Sequence, residues 1–160
     1  MVDHPDSYEA VIDTPLGGVK LGINTEGGAL YSIDFISPGH RSHMPQTGFI
    51  HEVVGQLRSY FENPRFTFSI LLVVQGTPFQ RRVWRAVQKI PAGVTRPYGR
   101  VAQHLATSPR AIGGACRANP VPIIVPCHRV VALDGPGGFS GQTRGHKLRI
   151  KNWLLTHESR

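Results

Sequence analysis

The chain has 160 residues, 40% hydrophobic and 18% charged, with a formal net charge of +8. This length and mix exclude a low-complexity or disordered chain and allow one domain, or two small ones, with buried cores. Two cysteines make neither a disulfide framework nor a four-ligand metal set, and no uninterrupted apolar stretch is long enough to span a membrane.

The first ten residues carry Asp3, Asp6 and Glu9 and no apolar run. A secretory leader is therefore not expected, and the chain is expected to work in the cytoplasm with both thiols reduced and no membrane partner. The charge is unevenly spread. Residues 1–80 hold four basic against eight acidic side chains, whereas residues 81–160 hold fourteen against two. Arginine dominates the basic half, which suits forked contacts to phosphate oxygens and predicts salt-sensitive binding to nucleic acid.

In chain order, residues 8–15, 18–25 and 29–36 read as short strands of an antiparallel meander, with Gly17-Gly18 and Gly27-Gly28 as turns. After a polar loop, Ile50, Val53, Val54, Leu57, Tyr60 and Phe61 recur at helical spacing and stop before Pro64. This helix is expected to cover one sheet face. Residues 66–74 are dense in β-branched and aromatic side chains and read as a further strand. His40, His43 and His51 have no ligand-like spacing and are taken as surface residues. Secondary-structure character and charge both change near residue 76, where a domain boundary is placed: 1–76 an α/β domain, 77–160 a mainly α one.

The second half opens with Thr77-Pro78, an N-cap followed by proline at the first helical position, and continues with Phe79, Val83, Trp84, Val87 and Ile90 on one stripe. Val101, Ala102 and Leu105 mark a short helix after Tyr98-Gly99. Thr107-Ser108-Pro109 makes a capped turn, and residues 110–118 form the next helix. Two short helices across a tight turn suggest a helix-turn-helix. The second carries Ala111, Gly113, Gly114, Ala115 and Ala118, and each glycine costs a helix about 1 kcal/mol. So smooth a helix, flanked by Arg110 and Arg117, suits close approach to DNA; close helix packing within the domain is the other reading.

Residues 123–131, Ile-Ile-Val-Pro-Cys-His-Arg-Val-Val, set Cys127 directly before His128 and Arg129. A cysteine alone is most often a small buried hydrophobe. Here its cationic and imidazole neighbours are expected to lower the thiol pKa from about 8.5 and favour the nucleophilic thiolate.

Several motifs together carry a family resemblance: Thr-Pro-Phe-Gln-x-x-Val-Trp at 77–84, Tyr98-Gly99, Arg-Ala-Ile-Gly-Gly-Ala from Arg110, Ala-Asn-Pro at 118–120, the Pro-Cys-His-Arg core, and Trp-Leu-Leu-x-His-Glu ending at Glu158. The chain resembles the O6-alkylguanine-DNA alkyltransferases, also called methylated-DNA–protein-cysteine methyltransferases, over residues 77–158. The resemblance implies a small ribonuclease-H-like N-terminal domain and a winged-helix-like C-terminal domain. It also implies irreversible, single-turnover transfer of an alkyl group from O6 of guanine in double-stranded DNA to the protein's own cysteine, without cofactor or metal.

By that resemblance Cys127 is the acceptor, and His128, activated by Glu158, draws off its proton. Strand neighbours point to opposite faces, so a water or a turn at Cys127 is needed between the two. Asn119 braces the active-site turn, and Tyr98 assists the departing guanine. Arg110 fills the space of a flipped base, and Ala111, Gly113, Gly114 and Ala115 lie in the minor groove, with Arg117 beside them. Tyr98, Val130, Phe139 and Ser140 line the guanine pocket. Arg129 is a brace to the active-site loop or a phosphate contact. Cys116 is read as a packing residue on the DNA-facing helix. Residues 142–147 are an insertion relative to the family's short connection, and Phe139 stands where many members have tyrosine. The protein is expected to act as a monomer, with lining-up of several molecules along one duplex left open. A non-catalytic sensor of alkylated DNA, or a DNA-binding regulator, is the main rival; a Cys-His hydrolase is another, but no oxyanion hole is announced.

Overall fold

The computed structural model describes residues 8–135, 137 and 145–160. The chain divides into two compact units, Met1–Gln75 and Gly76–Arg160.

In the first unit β1 (Ala10–Asp13), β2 (Lys20–Glu26) and β3 (Ala29–Ile36) form an antiparallel sheet in the order β1-β2-β3. Gly27 and Gly28, with φ of 59° and 78°, occupy the two central positions of the β2–β3 hairpin, a turn whose twist needs two left-handed residues. Gly22 is required for another reason: a Cβ there would lie 2.6 Å from the Tyr8 ring, which crosses β2 and donates its hydroxyl to Asp34 Oδ2 at 2.8 Å. Helix α1 (Ile50–Glu62) buries Ile50, Val53, Val54, Leu57 and Tyr60 toward the sheet, as its periodicity predicts.

The strand predicted over residues 66–74 does not form. Only Leu30 reaches it, through Leu30 N–H to Leu71 O at 2.8 Å and Val73 N–H to Leu30 O at 2.9 Å. The segment is instead extended chain held to α1, where Ser69 N–H donates to Gln56 Oε1 at 2.9 Å. Its β-rich composition suited a pleated surface, but strand formation depends on a partner edge that is available here at one residue.

The second unit begins with α2 (Pro78–Gln88), whose capping box is complete. Thr77 Oγ1 accepts from Gln80 N–H at 3.1 Å and Gln80 Oε1 accepts from Thr77 N–H at 2.9 Å. Val83, Trp84 and Val87 form its buried stripe. Helix α3 (Tyr98–His104) starts at Tyr98 itself, a turn earlier than the apolar pattern marks, because Pro97 supplies the extended entry. Ser108 caps α4 (Pro109–Arg117) by accepting Ala111 N–H at 3.1 Å. The Trp84 indole donates to Ala115 O at 2.8 Å, and this ties the backbone of α4 to α2. A parallel pair, β4 (Arg96–Pro97) with β5 (Val130–Val131), and helix α5 (His146–Glu158) complete the unit. His146 and Lys147 of the expected insertion form the first turn of α5, with Lys147 buried; residues 142–144 lie outside the described residues.

Candidate active site

Cys127 sits at the start of a single 3-10 turn, Cys127–Arg129, and not in a strand. Asn119 builds the approach to it. Its side-chain amide donates to Val125 O at 2.8 Å and its Oδ1 accepts Val121 N–H at 2.9 Å, while Cys127 N–H closes onto Val125 O at 2.8 Å. Inside that loop Ile123 is 1% exposed and left-handed, with φ of 76°. A β-branched residue holds that conformation only where its surroundings over-determine it, and the Asn119 bonds on either side do so.

The turn directs His128 and Arg129 onto the end of α5. His128 Nε2 lies 2.9 Å from Glu158 Oε2; Arg129 donates Nε–H to Glu158 Oε1 at 2.9 Å, Nη2–H to Oε2 at 2.8 Å and Nη1–H to Ile90 O at 2.6 Å. Arg129 is thus a brace, not a phosphate contact. A carboxylate accepts only, so Nε2 carries the proton and Nδ1 keeps a bare lone pair. Nδ1 is buried and has no hydrogen-bond partner among the described residues. Burial holds the imidazole below its ordinary pKa against the opposing pull of Glu158, which leaves it neutral and basic near neutral pH.

The expectation that His128 and Arg129 lower the Cys127 pKa is overturned. Arg129 spends its charge on Glu158, while a hydrogen bond with the Cys116 thiol and then burial push Cys127 well above the ordinary thiol range. Cys116 is accordingly more than a packing residue: that same hydrogen bond lowers its own pKa. Two further groups converge here. Burial, then the two thiols, raises Tyr98 to about 12. Lys151, fully buried, donates to Val130 O at 2.7 Å, lies 5.6 Å from the Tyr98 ring centroid and is lowered by burial to about 8. Sequence reasoning missed Lys151. Its signal was there: 147, 151, 154 and 158 form one helical stripe, and three of its four members are charged residues facing inward.

Arg110 and Arg117 are exposed on α4, Ala111 and Gly113 are half-buried, and Gly114 is exposed. A Cβ added at Gly113 or Gly114 would meet nothing within 4 Å, so these glycines are not there for packing inside the chain. Ala115 departs from its expected place in a DNA groove. It is 3% exposed and faces α2, because it sits three residues after buried Ile112 on the apolar stripe. Val130 is fully buried and offers its carbonyl; Phe139 and Ser140 lie outside the described residues. Between α2 and α3 runs a groove of about 710 Å³ whose walls include Arg82, Arg85, Lys89, Arg96 and Arg100, with no carboxylate among its lining residues. Among the described residues no group of three His, Cys, Asp or Glu is placed to hold a metal ion, and no helix is long and apolar enough to cross a membrane.

Comparison with known proteins gives a consistent answer. The family model for the 6-O-methylguanine DNA methyltransferase DNA-binding domain matches residues 78–160. The methylated-DNA–protein-cysteine methyltransferase of Methanosarcina acetivorans is 35% identical over 158 residues, covering 94% of this chain and 97% of the relative. That of Mycobacterium leprae is 38% identical over 130 residues, 78% of each chain. The crystal structure of the Mycobacterium tuberculosis O6-methylguanine methyltransferase superposes with a TM-score of 0.78 at 34% identity, covering 95% of this chain and 92% of that one. The same organism's protein in complex with DNA gives 0.76 at 36% identity, covering 93% and 91%. With more than half of the chain matched by the family model and relatives of this identity aligned nearly end to end, the chain belongs to the methylated-DNA–protein-cysteine methyltransferases, DNA repair enzymes that transfer an alkyl group from DNA to a cysteine of the protein.

Proposed function

We propose that Cys127 is the alkyl acceptor and that the substrate is an O6-alkylguanine flipped out of double-stranded DNA. The observation that carries this reading is the bare Nδ1 of His128, buried next to the acceptor turn while Nε2 is held by Glu158. A water on Nδ1 relays the thiol proton to the imidazole, and Glu158 stabilises the imidazolium that results. The sulfur then attacks the alkyl carbon; the carbon–sulfur bond forms as the carbon–O6 bond breaks. Tyr98, kept protonated by burial, donates a proton to the departing guanine. The Lys151 ammonium, near both sulfurs and held by Val130 O, offsets the thiolate charge. The thioether does not hydrolyse, so each molecule acts once and needs no cofactor.

Residues 77–160 act in this reading as a winged-helix-like domain whose α3 and α4 form a helix-turn-helix, behind a ribonuclease-H-like domain at 1–76. Arg110 enters the space left by the flipped base, Ala111, Gly113 and Gly114 approach the minor groove, and Arg117 meets phosphate. Tyr98, Val130, Phe139 and Ser140 surround the base, and the basic groove between α2 and α3 follows flanking phosphates. The protein works as a monomer in the cytoplasm, where its thiols stay reduced.

The test is the intact mass of the protein after mixing with a duplex holding one O6-methylguanine, followed by peptide mapping. One methyl group per molecule on the Cys127 peptide is expected. An unmodified protein that binds the lesion tightly would make it a sensor instead.

A further inference from the structure

The mechanism above leaves Cys116 without a task. It stands on α4, half-buried, with its thiol hydrogen-bonded to that of Cys127, which is 4% exposed. Tyr98 and Lys151 each feel both sulfurs, an independent sign that the two thiols occupy one small space. Folding has therefore already supplied the chain closure that a cross-link between them requires.

We propose that Cys116 and Cys127 are a reversible redox pair: hydrogen peroxide converts them to an intramolecular disulfide, which withdraws the alkyl acceptor from reaction until a dithiol restores it. The inference rests on the reading of Cys127 as acceptor. Cys116 reacts first, because it is the more accessible thiol and its thiolate is favoured by the hydrogen bond from Cys127 and by the Lys151 charge. Its sulfur attacks one peroxide oxygen, the O–O bond breaks, and hydroxide leaves as water with the thiol proton, giving a sulfenic acid. The Cys127 sulfur then attacks the sulfenic sulfur; the S–S bond forms, the S–O bond breaks, and the Cys127 proton leaves with the hydroxide as a second water. Two thiols lose two electrons and one peroxide becomes two waters. The return path is thiol–disulfide exchange with a dithiol, itself oxidised to a disulfide.

The chemistry has a use in a protein that acts once. A lone acceptor thiol oxidised past the sulfenic stage reaches sulfinic acid and is lost for repair. A neighbouring thiol captures the oxidation at a recoverable step.

The experiment treats the full chain with limiting hydrogen peroxide, maps peptides without reduction, and measures methyl transfer before and after dithiothreitol. A linked Cys116–Cys127 peptide is expected, with transfer falling about tenfold or more and returning on reduction. In Cys116→Ser, peroxide should abolish transfer without recovery. Peroxide-treated wild-type protein in which both thiols remain titratable would overturn the proposal, and so would equal recovery in wild type and Cys116→Ser. A disulfide that forms while transfer stays unchanged would support the pair yet overturn Cys127 as acceptor, so the two readings fail separately.

Discussion

Arg129 and Glu158 meet through two parallel hydrogen bonds, Nε to Oε1 and Nη2 to Oε2, with the carboxylate 1% exposed and the guanidinium residue 8% exposed. Removing one member leaves the other charge buried and uncompensated. Glu158→Ala should therefore lower the unfolding free energy by about 3–5 kcal/mol. The measurement is the urea midpoint, with the slope unchanged; a loss within 1 kcal/mol would mean that Arg129 finds another partner.

The pH dependence of transfer follows from two opposite shifts. His128 lies below its ordinary pKa and Cys127 well above its own, so between them the resting pair is neutral imidazole and thiol. The fraction present as imidazolium and thiolate is constant across that window, because forming it moves a proton without releasing one. The single-turnover rate should then be flat through neutral pH and fall only below about pH 6.5, where His128 is already protonated and no longer accepts a proton. A rate climbing about tenfold per pH unit through neutrality would show that solvent hydroxide, and not His128, takes the thiol proton.

Arg110 is exposed at the start of α4 and makes its contribution only when a base leaves the stack. Arg110→Ala should slow repair of a duplex about ten- to a hundredfold, in line with a flipping cost of a few kcal/mol. Reaction with free O6-benzylguanine should hardly change. Equal losses on both substrates would contradict the finger role.

Gly113 and Gly114 predict effects of opposite sign on two properties. An added methyl meets nothing, and alanine is better than glycine in a helix by about 0.8–1 kcal/mol, so Gly113→Ala and Gly114→Ala should each raise thermal stability. Each should also weaken duplex binding, read by fluorescence anisotropy at fixed salt. Unchanged affinity would show that DNA does not approach this face.

Much of this was legible in the chain because the signals were local. Helices α1, α2 and α4 follow from apolar spacing and from the caps at Thr77 and Ser108, each of which satisfies orphan N–H groups within one turn. The misread strand at 66–74 shows the limit: its composition says what surface it suits and nothing of whether an edge is free. The same limit explains the thiol. Arg129 adjoins Cys127 in sequence, yet its charge is committed to Glu158, 29 residues away, and the group that does set the thiol's state is Cys116 on another helix. Ala115 was assigned to DNA with its neighbours because a smooth helix shows smallness at every position, and only packing against Trp84 distinguishes the inward face.

That Trp84 contact also makes the protein its own reporter. The chain has two tryptophans. One indole is bonded to the backbone of the helix proposed to meet DNA; the other, Trp153, is stacked on His157 with ring centroids 4.8 Å apart, one residue before Glu158. Intrinsic emission therefore comes from two chromophores wired to different events. Replacing Trp153 by phenylalanine leaves a signal from docking on α4, and replacing Trp84 leaves one from the helix that carries Glu158, so the order of the two steps is readable from light alone without a label on either partner.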